Sequence, residues 1–320
     1  MAQLLGGHAV SQGDASKRQR VAILGPGRMG MTLAARYAEL GAEVHLIGRR
    51  TGSWQTVTKQ YGVHTHLAPQ PHEIASLADL DVLIFCVPDD ALRSSAQAWN
   101  EACSARTPPR LVLHTSGASD LEVLQPWQAS LRAAAHPMRV ITGQAVHASD
   151  AGSICELEAA PVSVLGSDVA ATKLACAEVA AWGGEALAFD SSADRRRYHL
   201  ACCLAANHLT ALLAWAEQLA GPALGSAAAR RGLHSLAESA LNRVLEQGPA
   251  SALTGPVARG DAATIQAHLD ALSSSEAARY RAILPELLGF ARESGGLPAE
   301  RASEFEQRFG LSALERGISE

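Results

Sequence analysis

The apolar positions of the chain fall into two regimes, with a change near residue 190. Before it they form short uninterrupted runs, among them Val21-Ala22-Ile23-Leu24, Val82-Leu83-Ile84-Phe85-Cys86-Val87 and Leu111-Val112-Leu113. Glu43-Val44-His45-Leu46-Ile47-Gly48 is nearly as apolar. Strands covered on both faces read this way, whereas half-exposed strands alternate. Further strands are expected over 133–138, 161–166 and 185–189, and Pro137 pushes His136 toward extended backbone. A helix is expected over about 168–182, closed by Gly183-Gly184. Pro88-Asp89-Asp90 stops one strand and starts a helix, with either aspartate available to cap it. Seven or eight strands are expected, in an order the pattern does not reveal.

Beyond Asp190 the pattern is helical alone. Ser191 or Ser192 caps a helix running from about 193 to 219 and stopped by Gly221-Pro222. Further helices are expected over about 224–247, 261–272, 275–294 and 300–316. The expected architecture is an α/β doubly wound sheet over 20–190 and an all-helical domain over 191–320, with a flexible arm over 1–19.

The first strand runs straight into Gly25-Pro26-Gly27-Arg28-Met29-Gly30 and then a helix. In such a turn the first glycine permits the bend and the second lets backbone approach a pyrophosphate. The third allows close helix–strand packing, and the helix start offers unpaired N–H groups to the anion. The second strand ends in Gly48-Arg49-Arg50-Thr51. An acid there would hold a ribose 2′-hydroxyl, but two guanidiniums suit a 2′-phosphate. The expected cofactor is therefore NADP rather than NAD, with Thr51 or Ser53 adding a hydroxyl and Arg28 lying over the nucleotide.

Composition narrows the remaining classes. In 320 residues there are 32 acidic and 27 basic side chains, a net charge of -5 that offers no general attraction to nucleic acid. Six cysteines, at 86, 103, 155, 176, 202 and 203, form no C-x-x-C pair and read as reduced thiols. No run of about 18 apolar residues occurs, and the first twenty residues lack the apolar core of a signal peptide. A cytoplasmic protein with no membrane partner is the expectation.

In an open sheet, ligands lie beyond the carboxyl ends of the strands. Val87-Pro88 would run beside the cofactor there, and Thr115, Ser116 and Gly117 would supply hydroxyl and backbone donors near the nicotinamide, with Ser116 and Gly117 reaching the substrate. His136, with an ordinary imidazole pKa, would pass a proton to it. Arg195, His199, Cys203 and Asn207 recur every four residues, so His199 and Asn207, about 80° apart, share a broad helix face as further catalytic candidates. Arg259, in Leu253-Thr254-Gly255-Pro256-Val257-Ala258-Arg259-Gly260-Asp261, would grip a carboxylate or brace two helices. No metal site is expected, since His64-x-His66 has no adjoining carboxylate set.

Leu24–Gly30, His114-Thr115-Ser116-Gly117-Ala118, His136-Pro137-Met138, Tyr198-His199-Leu200-Ala201 with Asn207-His208, and Leu253–Asp261 together resemble one family. These are Rossmann-like oxidoreductases joined to a C-terminal domain of unknown function 2520 (DUF2520), related to ketopantoate reductase, pyrroline-5-carboxylate reductase and the 6-phosphogluconate dehydrogenase-like group. The resemblance implies NADP in the first domain and a homodimer formed through the second. Ketopantoate reductases carry a lysine one turn before an asparagine; here Cys203 precedes Asn207, which argues against that substrate. The expected activity is NADPH-dependent reduction of a small carbonyl or imine bearing a carboxylate. The competing reading is a non-catalytic NADP-binding sensor or scaffold.

Overall fold

The computed structural model describes residues 18–311, apart from 53, 71–72, 75–76, 78 and 144–155. Most of the expected arm, Ser53, the end of the last expected helix and Cys155 lie outside the described residues.

Eight strands form one sheet in the order β3-β2-β1-β4-β5-β6-β7-β8. They are β1 (Arg20–Leu24), β2 (Glu43–Gly48), β3 (His64–Leu67), β4 (Val82–Phe85), β5 (Leu111–His114), β6 (Leu131–Pro137), β7 (Pro161–Gly166) and β8 (Glu185–Ala188). All neighbours run parallel except β6 and β7. β3 escapes the apolar pattern because it is a short polar edge strand, His64-Thr65-His66-Leu67, with three of its four residues exposed. Both faces are covered, as the uninterrupted runs require. Val21, Ile23, Leu46, Ile84 and Leu113 meet Leu33, Tyr37 and Trp182 on one side. Ala22, Leu83, Phe85 and Val112 meet Leu92, Trp99 and Trp127 on the other.

Helices α1 (Arg28–Glu39), α2 (Gln55–Tyr61), α3 (Asp89–Cys103) and α4 (Val169–Ala181) accompany the sheet. Gly183, at φ +92°, takes the left-handed position expected just after α4. The aspartates after β4 do not cap α3: Pro88 is the N-cap, and Asp89 and Asp90 lie in the first turn, where they oppose the helix dipole.

The chain divides into two compact units, Met1–Leu209 and Thr210–Glu320. The change of pattern near 190 marks the end of the sheet, but the next helix, α5 (Ser192–Cys203), stays with the first unit. Its buried Arg195 and its Tyr198 are hydrogen-bonded to backbone of the sheet domain, which residue pattern alone does not disclose. Ser191 caps α5 through the Asp194 N–H. A π-helical turn, Leu204–His208, then leads into α6 (Leu209–Leu224), so Gly221-Pro222 lies inside the helix instead of ending it.

The second unit also contains α7 (Ser226–Gln247), α8 (Pro249–Ala252), α9 (Ala262–Asp270), α10 (Ser274–Glu293) and α11 (Ala299–Phe309). Val257, Ile265, Leu284, Leu288, Phe305 and Phe309 form its core. Asp261 caps α9, and Ser273 with Glu276 forms a reciprocal cap on α10. α6 and α7 instead leave Leu212, Leu219, Leu236, Leu241 and Leu245 exposed. The continuous helix Ser192–Leu224 is the one helix among the described residues long and apolar enough to cross a membrane.

Candidate functional site

β1 and β4 are neighbours, while the chain leaves β1 for β2 on one side and reaches β4 on the other. The loops beyond their carboxyl ends therefore diverge and leave a crevice. A cleft of about 1080 Å³ opens there, lined by Gly25–Met29, Gly48–Arg50, Val87, Pro88, Thr115, His136, Arg139 and Ile141 among others.

Each glycine of the turn has a separate steric reason. Gly25 sits at φ +98°, and a Cβ there would lie 2.3 Å from the Cys86 carbonyl oxygen. A Cβ on Gly30 would lie 2.0 Å from the Gly25 carbonyl oxygen, so α1 can approach the turn only without one. Gly27 differs: its φ of -75° suits any residue, and an added Cβ would meet nothing within 4 Å. What Gly27 leaves free is the space of the cleft itself. It is also the N-cap of α1, with no side-chain cap and no acid in the first turn, so the helix start still offers N–H groups to an anion. These features fit the pyrophosphate of a dinucleotide.

At the far end, the Trp54 indole donates to the Arg50 carbonyl at 3.0 Å and packs beside Gly48 and Gly52, fixing the arginine turn. Arg49 and Arg50 line the cleft; Thr51 does not. Arg28 lines it too and leans on Gly143. That loop is tied down by Glu156, which accepts from the backbone N–H groups of Thr142 and Gly143 at 2.9 Å each. Burial opposes ionisation of Glu156, but the donated hydrogen bonds outweigh it and lower its pKa.

His136 lines the inner end. Its backbone carbonyl accepts from Tyr198 Oη at 3.2 Å and Ser163 Oγ at 3.3 Å, and its ring meets His199 edge to face at 4.8 Å between centroids. The structure corrects the expectation of an ordinary imidazole. Burial, then the neighbouring His199 and Arg195, push the His136 pKa down to about 4, so the ring is neutral near pH 7.

Ser116, Gly117, His199 and Asn207 do not line the cleft. Ser116 Oγ accepts from Ser119 N–H, and its carbonyl accepts from Arg195, so its polar groups serve the turn. Gly117 makes room for His199: a Cβ would lie 2.1 Å from the His199 Nδ1. His199 therefore packs behind the turn and against His136, with Cys203 Sγ 3.6 Å from its Nε2. Asn207 is exposed, and it lies in the π turn, whose looser winding breaks the four-residue recurrence that grouped it with His199. Arg259, in the second unit, is exposed, and its charge helps lower the Asp261 pKa after the Thr264 hydrogen bonds.

Sequence reasoning missed the role of Arg195. It is 2% exposed and donates to the carbonyls of Ser116 and Ser119. Its Nε, with His136 Nδ1 and His199 Nδ1, is buried without a hydrogen-bond partner. Its neighbours Arg196 and Arg197 are exposed, so the triple-arginine run disguised one buried cation. The same charge, after burial, pushes the enclosed His114 down to about 3. Buried unpaired polar atoms are uncommon and concentrate where chemistry or ligands use them.

Residues 7–137 match the family model of a Rossmann-like domain, and residues 160–285 match the domain of unknown function DUF2520. A glycerol-3-phosphate dehydrogenase [NAD(P)+] from Enterococcus faecalis is 33% identical over 109 residues, which is 31% of this chain and 31% of that protein. The chain thus matches under a third of that relative's length. A Bacteroides fragilis protein described as an NADP oxidoreductase superposes with TM-score 0.64 at 19% identity, covering 87% of this chain and 98% of its own. A pyrroline-5-carboxylate reductase from Coxiella burnetii superposes with TM-score 0.52 at 13% identity, covering 93% and 100%. At such identities the likeness is one of fold.

Two measurements check the site. Gly27→Ala is expected to leave the unfolding temperature unchanged while weakening nucleotide binding by about tenfold or more, about 1.4 kcal/mol. Gly30→Ala should lower stability instead; equal effects from the two would contradict the separate roles. For the histidines the sign is fixed by depressed folded pKa values. Stability contributed by neutral His136 and His114 is complete above their usual 6.5 and is lost as pH falls toward about 4 and about 3. NMR titration should show the His136 ring neutral down to about pH 4, and a midpoint near 6.5 would contradict its burial.

Proposed function

For a chain that joins a Rossmann-like domain to a DUF2520 domain, we propose an NADPH-dependent oxidoreductase that reduces a small carbonyl or imine bearing a carboxylate. The observation that carries this reading is the single cleft running from Arg49 and Arg50, past the open face of Gly27, to His136. Arg49 and Arg50 would hold a 2′-phosphate by charge and planar hydrogen bonding. Gly27 and the start of α1 would receive the pyrophosphate, and Val87 with Pro88 would wall the cofactor's path by shape. When bound, the reduced nicotinamide supplies a hydride.

The protein's task at the other end is to hold a hydrogen-bond donor where negative charge develops, the proton that completes the reduction coming from solvent. A neutral imidazole at His136 donates an N–H hydrogen bond without carrying a charge into the cleft. Its Nδ1 is sealed from solvent, which leaves Nε2 as the nitrogen for substrate. His199 packs at right angles and limits rotation of that ring. Asn207, near the end of the first unit, would orient the substrate. The Coxiella relative's name specifies a cyclic imine carboxylate, in keeping with this substrate class.

We further infer that a second copy of the chain covers the apolar faces of α6 and α7. Leu236, Leu241 and Leu245 are 66%, 52% and 76% exposed, an exposure that association would remove. The resemblance stated above likewise implies pairing through the helical domain. Free Cys86, Cys103, Cys176, Cys202 and Cys203 accord with a reducing cytoplasm.

Calorimetry with NADP+ and NAD+ should favour NADP+, and Arg49→Ala with Arg50→Ala should erase the preference. NADPH oxidation across a panel of keto acids and cyclic imines should find a substrate whose turnover His136→Ala reduces by about 10²-fold or more with NADP+ binding retained. Binding with no turnover across the panel would instead favour the sensor reading. Light scattering should give a dimer that Leu236→Lys with Leu241→Lys dissociates; a monomeric parent protein would contradict the pairing.

A further inference from the structure

We propose that His45, His64 and His66 bind a divalent transition-metal ion of the zinc class at the β2–β3 edge of the sheet. Parallel pairing sets His45 directly opposite His64 and Ile47 opposite His66. Side chains two residues apart share a face of a strand, so His64 and His66 lie on one side together with His45 across the ladder. The His45 Nδ1 is 3.0 Å from the His66 Nε2. The His64 ring stacks on His45 at 5.2 Å between centroids, and His66 lies at 5.3 Å.

The proton arrangement follows from the carboxylate. Glu43 Oε1 is 3.0 Å from His45 Nε2, and the Arg20 guanidinium pairs with the same carboxylate at 3.2 Å. An ionised carboxylate only accepts, so His45 carries its proton on Nε2 and points a lone pair from Nδ1 toward His66. A proton on His66 Nε2 fills that gap. A metal ion can take its place, because two imidazole nitrogens on one tetrahedral zinc, each at about 2.0–2.1 Å, stand about 3.3 Å apart. An opening of about 0.3 Å, with each ring turned by about 35° so that both lone pairs meet on the ion and the His66 proton carried on Nδ1, converts the hydrogen bond into a two-ligand site.

Among the described residues no three such groups already surround one point. The third ligand must turn in, and His64 is exposed and free to do so. The Glu43–His45 bond supplies the carboxylate that orients a ligating imidazole and raises its basicity. Glu73 adds a negative charge near His66, and the positive charge of Arg20 is met by Glu43. Imidazole donors favour zinc, copper or nickel over magnesium or calcium. His64-x-His66 lacks a carboxylate in sequence because both missing parts, His45 and Glu43, come from the neighbouring strand. Bound there, the ion would fasten the polar edge strand β3 to β2.

The test is calorimetric titration of the untagged full-length chain with Zn2+ alone, followed by Co2+ as an optical probe and Mg2+ as a control. One Zn2+ per chain is expected, with imidazole-type Co2+ absorption and no Mg2+ uptake. His66→Ala should abolish this binding. Glu43→Gln should weaken it by about tenfold or more. His64→Ala should also weaken it, and His234→Ala, at a histidine in the other unit, should not. Circular dichroism and the unfolding temperature distinguish lost ligation from lost folding. Wild-type zinc affinity in both His64→Ala and His66→Ala, or no saturable zinc binding by the parent chain, would overturn the proposal.

Discussion

The turn after β1 is squeezed between two pieces of backbone that leave no room for a side chain. Gly25 lies under the Cys86 carbonyl at the end of β4, and Gly30 lies under the carbonyl of Gly25. These two contacts let α1 start directly above the β1–β4 boundary, with its unpaired N–H groups facing the crevice. Everything else about the cleft follows from that placement. Gly27 faces open space, the β2 end brings Arg49 and Arg50 to one extremity, and the β6 end brings His136 to the other. A larger residue at either squeezed position would lift α1 and close the site before any question of chemistry arose.

The inner end shows a second economy, this one electrostatic. Arg195 is almost fully buried, and its bonded partners are carbonyl oxygens of the Ser116–Ser119 turn. Such a cation is costly to bury. Its field, added to burial, keeps both His114 and His136 neutral. The helix carrying Arg195 thus belongs with the sheet in chemistry as well as in packing. Its π turn, just after Cys203, falls where a helix of uniform winding would have run on undisturbed.

Much of this was legible in the residues. Doubly covered strands announce themselves as unbroken apolar runs, and a glycine turn between strand and helix leaves few alternatives. β3 was not legible, because an exposed polar edge strand has neither an apolar run nor a clean alternation. The unit boundary was misplaced for a related reason. Helical periodicity marks where the sheet ends, but only tertiary hydrogen bonds reveal which unit a helix joins. Arg49, Arg50, Val87 and Pro88, which follow strand ends, and His136, next to the last residue of β6, line the cleft toward which the strand pattern pointed. Ser116, Gly117 and His199 were assigned to ligand contact when their visible work is packing one behind another. Arg195 was hidden among exposed arginines, and the His45–Glu43 pairing with His66 was hidden by the fifteen residues that separate β2 from β3 along the chain.

The most direct measurement of the central claim is a crystal structure of the full chain grown with NADP+. The account predicts the pyrophosphate against Gly27 and the first turn of α1, the 2′-phosphate between Arg49 and Arg50, and the nicotinamide directed toward His136. A nucleotide bound elsewhere, or one in this cleft with its 2′-phosphate turned away from both arginines, would contradict it.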